Sequence, residues 1–172
     1  MRWIKSGGGP LVCIERRLAR LWRGVDGNST PRHIDTNDTD YERACGIGRY
    51  VGQIPVGDRV ALVLGDSPLE TSVAWLRGDP VLVRLIYADP HVDFQELLSS
   101  TPDSAFENPS EALAYDAESE EHLIFDSAAS GDEAERNGII FSVRPGRLAV
   151  LTASGEPNDR TSWLLHRFVR VS

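Results

Sequence analysis

Residues 50–65 read YVGQIPVGDRVALVLG. Tyr50–Val56 and Arg59–Gly65 carry the apolar, β-branched content of strands, and Gly57-Asp58 between them is a tight-turn pair, so the stretch predicts a β-hairpin. Val81–Tyr87 (VLVRLIY) predicts a further strand, apolar enough to be central, with Arg84 interrupting it. This reading sets the fold class: α+β, mainly antiparallel sheet with two or three short helices.

The end of the chain echoes this middle. Gly52, Val56, Ala61, Pro68, Thr71, Trp75 and Arg84 align, with one-residue gaps, to Gly138, Val143, Ala149, Pro157, Thr161, Trp163 and Arg170. An internal duplication of a three-strand meander, about 50–87 and 137–171, is the expectation. Like strand orders in the two segments are its test.

Upstream, Trp3-Ile4 and Leu11–Ile14 read as short extended segments broken by Ser6-Gly7-Gly8-Gly9-Pro10. Leu18, Leu21 and Trp22 fall at helical spacing within Glu15–Arg23, with Arg16, Arg17, Arg20 and Arg23 on the other face. A polar loop then leads to Asp40, expected to cap a helical turn through Cys45. Downstream, His91–Leu98 predicts a helix with Val92, Phe94, Leu97 and Leu98 inward. Residues 101–109 read as loop, Ser110 as the cap of a short turn, Leu123–Phe125 as a strand and Ser127–Arg136 as a polar connection. The four tryptophans, Trp3, Trp22, Trp75 and Trp163, are expected in the core or at its rim.

At 172 residues, with 41% hydrophobic, the chain suits one domain, 1–172. No apolar run is long enough to cross a bilayer and no signal core opens the sequence, so a cytoplasmic, soluble protein is expected. The sequons at Asn28 and Asn37 then read as loop residues. Cys13 and Cys45 form no C-x-x-C pair and are expected as small buried apolar side chains.

The overall charge of −8 conceals a segregation. Asp89 to Glu135 holds fourteen carboxylates and no Lys or Arg, while the other 125 residues carry a net +6. Concentrated like charge repels nucleic acid and steers a cationic partner by attraction that salt weakens. The plain alternative is a solubilising face.

Catalytic and ligand patterns are weak. Gly7–Gly9 lacks the Gly-Lys-Ser/Thr of a phosphate loop, and Gly46–Gly52 has stretched dinucleotide-fingerprint spacing but leads into a strand. His33, His91, His122 and His166 are scattered without metal-ligand spacing, so no metal and no cofactor is expected. There is no G-x-S-x-G elbow. Paired carboxylates such as Asp66 with Glu70, or Glu118 with Glu120 and Glu121, would need a cleft to do acid–base work. An enzyme or ligand site near Asp66, Glu70 and Arg84 is the alternative reading, and no enzyme the principal one.

Three strings in order resemble the immunity protein 21 family of bacterial polymorphic toxin systems. They are Trp3-Ile4 with Ser6 and Gly8-Gly9-Pro10-Leu11; Asp40-Tyr41-Glu42-Arg43-Ala44-Cys45; and Gly52, Ile54 and Val56 leading into Ala61–Gly65-Asp66 and Pro68. The resemblance spans about residues 1–90, with Ser67 where the family's pattern has an acidic residue. It implies a non-enzymatic antitoxin that binds a cognate toxin domain. Gly8, Gly9, Pro10, Asp40, Tyr41, Gly65, Asp66 and Pro68 of these strings, together with the apolar-face Trp22, are the expected structural residues. A toxin that grips phosphate is basic, so the acidic block is the expected contact region. Its named candidates are Asp89, Asp93, Glu96, Asp103, Glu107, Glu111, Asp116 and Glu118. Nucleic acid and membrane are not expected as partners.

Overall fold

The computed structural model describes residues 1–65 and 69–171. Asp66, Ser67 and Pro68, singled out above, lie outside the described residues. Eleven strands form two antiparallel sheets among those described. Sheet 1 runs β1 (Trp3–Ile4), β5 (Glu70–Leu76), β6 (Asp79–Ala88), β11 (Thr161–Arg170), β10 (Gly146–Asn158), β7 (Glu111–Ala117). Sheet 2 runs β3 (Gly52–Val56), β4 (Arg59–Leu64), β2 (Leu11–Glu15), β8 (Glu121–Asp126), β9 (Ile139–Ser142).

The strand alternation explains the layering. In β2 and β4, Leu11, Cys13, Leu62 and Leu64 meet Leu82, Tyr115, Leu148, Val150 and Phe168 of sheet 1 in a core between the sheets. Their neighbours Val12, Ile14, Ala61 and Val63 point the other way, against Leu18, Ala19, Trp22, Ala44 and Ala134 of the helical segments. On the far face of sheet 1, Ala74, Leu76, Val81, Val83, Trp163 and Leu165 pack on Leu98 and Phe106. Strands buried on both faces therefore sit inside four layers: helices, sheet 2, sheet 1, helices.

The predicted β3–β4 hairpin forms, with Val56 opposite Arg59 and Gly57 at φ 60° in its turn. The duplication does not. β3 pairs with β4 inside one sheet, whereas β9 pairs with β8 in sheet 2 and β10 with β11 and β7 in sheet 1. Unlike strand orders make the echo one of hairpin composition rather than of architecture.

The helices also differ from expectation. Arg16–Leu21 is a 3-10 helix, with Leu18 inward and its arginines outward as predicted, but Leu21, expected inward beside Leu18, is exposed because the tighter turn rotates it away. Helix α1 (Asp40–Cys45) is capped by Thr39, whose hydroxyl accepts the Glu42 amide. Asp40 is instead its buried first residue. Helix α2 (Phe94–Ser100) starts later than predicted because Asp93 caps it. Residues 103–106 form a 3-10 helix, Ser110 precedes strand β7, and α3 (Gly131–Asn137) replaces the predicted polar connection. Cys13 is buried, which pushes its thiol pKa up, but Cys45 is exposed.

Candidate interaction surface

The acidic stretch is contiguous in sequence and divided in space. Asp93, Glu96, Asp103 and Glu107 sit on or beside α2 and the 103–106 helix, on the outer face of sheet 1. Glu118, Glu120 and Glu121 surround the β7–β8 turn, and Asp132, Glu133 and Glu135 ride on α3, on the outer face of sheet 2. Glu111 and Asp116 lie on β7 between the two groups.

Most of these carboxylates are occupied by the basic remainder of the chain or by backbone. Asp89 lies 3.7 Å from Arg160. The Asp93 Oδ1 accepts the Gln95 and Glu96 amides, both at 3.0 Å. Asp103 takes Arg167 at 2.7 Å and Arg77 at 3.2 Å, and the Arg167 hydrogen bond holds its carboxyl below the usual range. Glu111 accepts the Tyr50 and Val51 amides, Asp116 lies 3.8 Å from Arg147, and Glu118 pairs with Arg17 at 2.7 Å and with Arg59. Arg16 holds Glu121 and Glu135. Asp126 accepts the Gly7 and Ala128 amides, and Glu133 closes a capping box with Ser130.

Among the described residues, Glu96, Glu107, Glu120 and Asp132 are exposed acids of this stretch whose carboxylates enter no ion pair or hydrogen bond. Two stand on each side of the sandwich. Glu120 and Asp132 line a groove of about 620 Å³ together with Arg16, Arg17 and Arg20. An unpaired surface carboxylate keeps its full field toward an incoming cation, whereas one paired with Arg presents a dipole.

A residue missed by sequence reading anchors this region. Glu15 is 2% exposed; its carboxylate accepts the Glu118 amide at 2.9 Å, the Ser119 hydroxyl at 2.8 Å and Arg17 Nε at 2.7 Å. An acid ending an apolar strand just before an Arg-Arg pair was the available signal.

The residues expected to be structural assemble a framework among the described residues. The Asp40 carboxylate, wholly buried, accepts the amides of Arg23 and Ser29, each at 2.8 Å, and pairs with Arg43 at 3.0 Å. Trp22 packs on Phe125 and donates its indole N–H to the Ser127 carbonyl at 3.0 Å. A Cβ on Gly9 would fall 2.5 Å from the Tyr41 ring, so the two strings meet in a close approach where any added side chain would displace that ring. Gly8 has φ 133°, Pro10 is buried and its carbonyl accepts the Ser127 amide, and a Cβ on Gly65 would strike the Arg49 and Ile47 carbonyls.

The alternative site does not assemble from its described members. Thr71 faces Arg84 across the β5–β6 ladder, so Glu70 points to the opposite side of sheet 1. Arg84 is buried and donates to the carbonyls of Tyr50 and Gly65, while Glu70 lies 3.7 Å from Lys5 at the surface. No group of three or more His, Cys, Asp or Glu among the described residues is placed to hold a metal ion, and no helix is long and apolar enough to cross a membrane.

The described residues thus form two stacked sheets whose acidic stretch is mostly engaged within the chain, with Glu96, Glu107, Glu120 and Asp132 left unpaired at the surface. The family model of Immunity protein 21 matches residues 2–161, and the chain belongs to that family. No curated protein and no solved structure matches it.

Proposed function

We propose that this chain is a stoichiometric, non-catalytic inhibitor that binds and neutralises a cognate bacterial toxin domain in the cytoplasm. Family membership gives the class, immunity protein. The observation that carries the mode of action is the set of unpaired carboxylates Glu96, Glu107, Glu120 and Asp132 on a stretch free of Lys and Arg. These draw a basic toxin domain in by long-range attraction, and neutral contacts then hold it. Asp89, Asp93, Asp103, Glu111, Asp116 and Glu118, named with them from sequence, contribute to the contact region while also holding the fold.

Co-expression with the toxin domain encoded by the neighbouring gene tests this reading. Survival of the host, together with isolation of a complex of the two chains, is the expected result. Continued killing by a toxin domain that does not co-purify with this chain would refute it.

A further inference from the structure

A sandwich of two sheets has two lateral seams, and here they differ. One is sealed. Gln53 Nε2 on β3 donates to the Ala114 carbonyl of β7 at 2.7 Å, and the Glu111 carboxylate takes the Tyr50 and Val51 amides at 3.2 and 3.0 Å.

The other seam, between β5 of sheet 1 and β9 of sheet 2, is bridged at one end by Arg2, which donates to the Asn137 carbonyl just before β9, while the β5 and β9 edges themselves carry no such closure among the described residues. β1 pairs with β5 only through Ser72 and Thr71, so the same edge of β5 is unpaired from Val73 onward, and β9 pairs with β8 alone. A cavity of about 420 Å³ lies between the two edges, lined by Val73 and Trp75 on one wall and by Ile139, Ile140 and Phe141 on the other. Trp75 is 48% exposed and Ile140 43%. Unpaired edges are normally blunted with Lys, Pro or a bulge, and β9 has none of these.

The seam is also positively charged. Arg2 and Arg136 line it; Arg2 donates to the Asn137 carbonyl at 3.0 Å, and neither makes an ion pair among the described residues. Glu135 at its rim is already held by Arg16 at 3.0 Å. Antiparallel pairing of β9 with β9 of a second copy would bring Arg136 of each copy toward Arg144 of the other, a like-charge arrangement that opposes self-association.

We propose that this open seam docks an extended segment of the toxin domain. The segment adds a strand to β9, lays an apolar side chain on Trp75 and brings a carboxylate to Arg136. The inference rests on the reading under Proposed function and supplies the contact that holds the partner once the acids have steered it. Asp132 and Arg136 are both carried by α3, so the steering groove and the seam adjoin.

The test is calorimetric binding of the full chain to the toxin domain encoded by the neighbouring gene. Trp75→Ser, Ile140→Glu and Arg136→Glu should each weaken affinity about tenfold or more, with Ile34→Ser as an exposed apolar control elsewhere that retains wild-type affinity. The β9 amides should gain hydrogen-exchange protection in the complex, a readout that needs no variant. Wild-type affinity in all three variants, unchanged exchange at β9, or a homodimer that Ile140→Glu dissociates would each overturn the inference. Failure of the wild-type chain to bind would overturn the functional reading itself, and the inference with it.

Discussion

Glu15 accepts the backbone amide of Glu118 at 2.9 Å across 103 residues of chain, and Arg17 bridges the two carboxylates at 2.7 Å to each. Two acids are thus drawn together because one is buried among donors and a guanidinium lies between them. Glu118, expected from sequence to face a partner, also helps fasten the β7–β8 turn to the end of β2.

Glu15→Ala leaves the Glu118 amide and the Ser119 hydroxyl without their acceptor and removes one of the two carboxylates that hold Arg17, which keeps Glu118. The expected cost is about 1–3 kcal/mol, kept toward the low end because Arg17 is half exposed and rehydrates. Urea unfolding of the variant against wild type measures it.

The buried Tyr115 and His122 pair gives a second test. The Glu120 carbonyl can only accept, so Nδ1 of His122 donates to it at 3.2 Å and Nε2 accepts the Tyr115 hydroxyl at 2.8 Å. Tyr115→Phe strands a buried acceptor and should cost about 1–3 kcal/mol. A double-mutant cycle with His122→Phe should show that the two losses are not additive.

Much of this was legible in sequence and some was not. The β3–β4 hairpin and the central strand β6 follow from β-branched runs and a Gly-Asp turn, and Leu18 and Trp22 are inward as helical spacing required. The capping boxes Thr39–Glu42 and Ser130–Glu133 are sequence signals for α1 and α3 that propensity reading passed over. The exposure of Trp75 was not readable. Alternation places it on the inner face with Val73, but whether sheet 2 extends far enough to cover it depends on tertiary packing. The neutralisation of the acidic block was hidden for the same reason, because its partners Arg16, Arg17, Arg59, Arg77, Arg160 and Arg167 come from distant parts of the chain.

Stability should fall in mild acid. Burial, and then the nearby Arg84, lower the pKa of His166 from 6.5 to about 3, and burial lowers that of His122. Above pH 6.5 neither the folded nor the unfolded chain protonates these rings, and their contribution is fully present. Between 6.5 and 3 the unfolded chain takes up a proton that folded His166 refuses, so stability drops by at most about 1.4 kcal/mol per pH unit from that ring, and His122 adds a loss of the same sign. Urea midpoints at pH 7, 5.5 and 4.5 report the slope.

A Cβ on Gly131 would lie 2.0 Å from the Ala19 carbonyl oxygen, where α3 crosses the 16–21 helix. Gly131→Ala should therefore cost about 1–3 kcal/mol by forcing the two apart, read as a lowered melting temperature. Gly48→Ala, where an added Cβ meets nothing within 4 Å, is the control.

Steering separates the free acids from the engaged ones. Glu96→Gln, Glu107→Gln, Glu120→Gln and Asp132→Asn combined should slow association with the toxin domain about tenfold or more at low salt and flatten its salt dependence. Glu118→Gln should alter stability more than association rate. Stopped-flow mixing across a salt series measures both.

The most direct measurement is a titration of the toxin domain encoded by the neighbouring gene with this chain, following toxin activity. A stoichiometric inhibitor predicts a linear fall to zero activity that ends at one equivalent and is unaffected by incubation time. Activity that persists at several equivalents, or that decays with time at substoichiometric amounts as a catalyst would cause, would contradict the account.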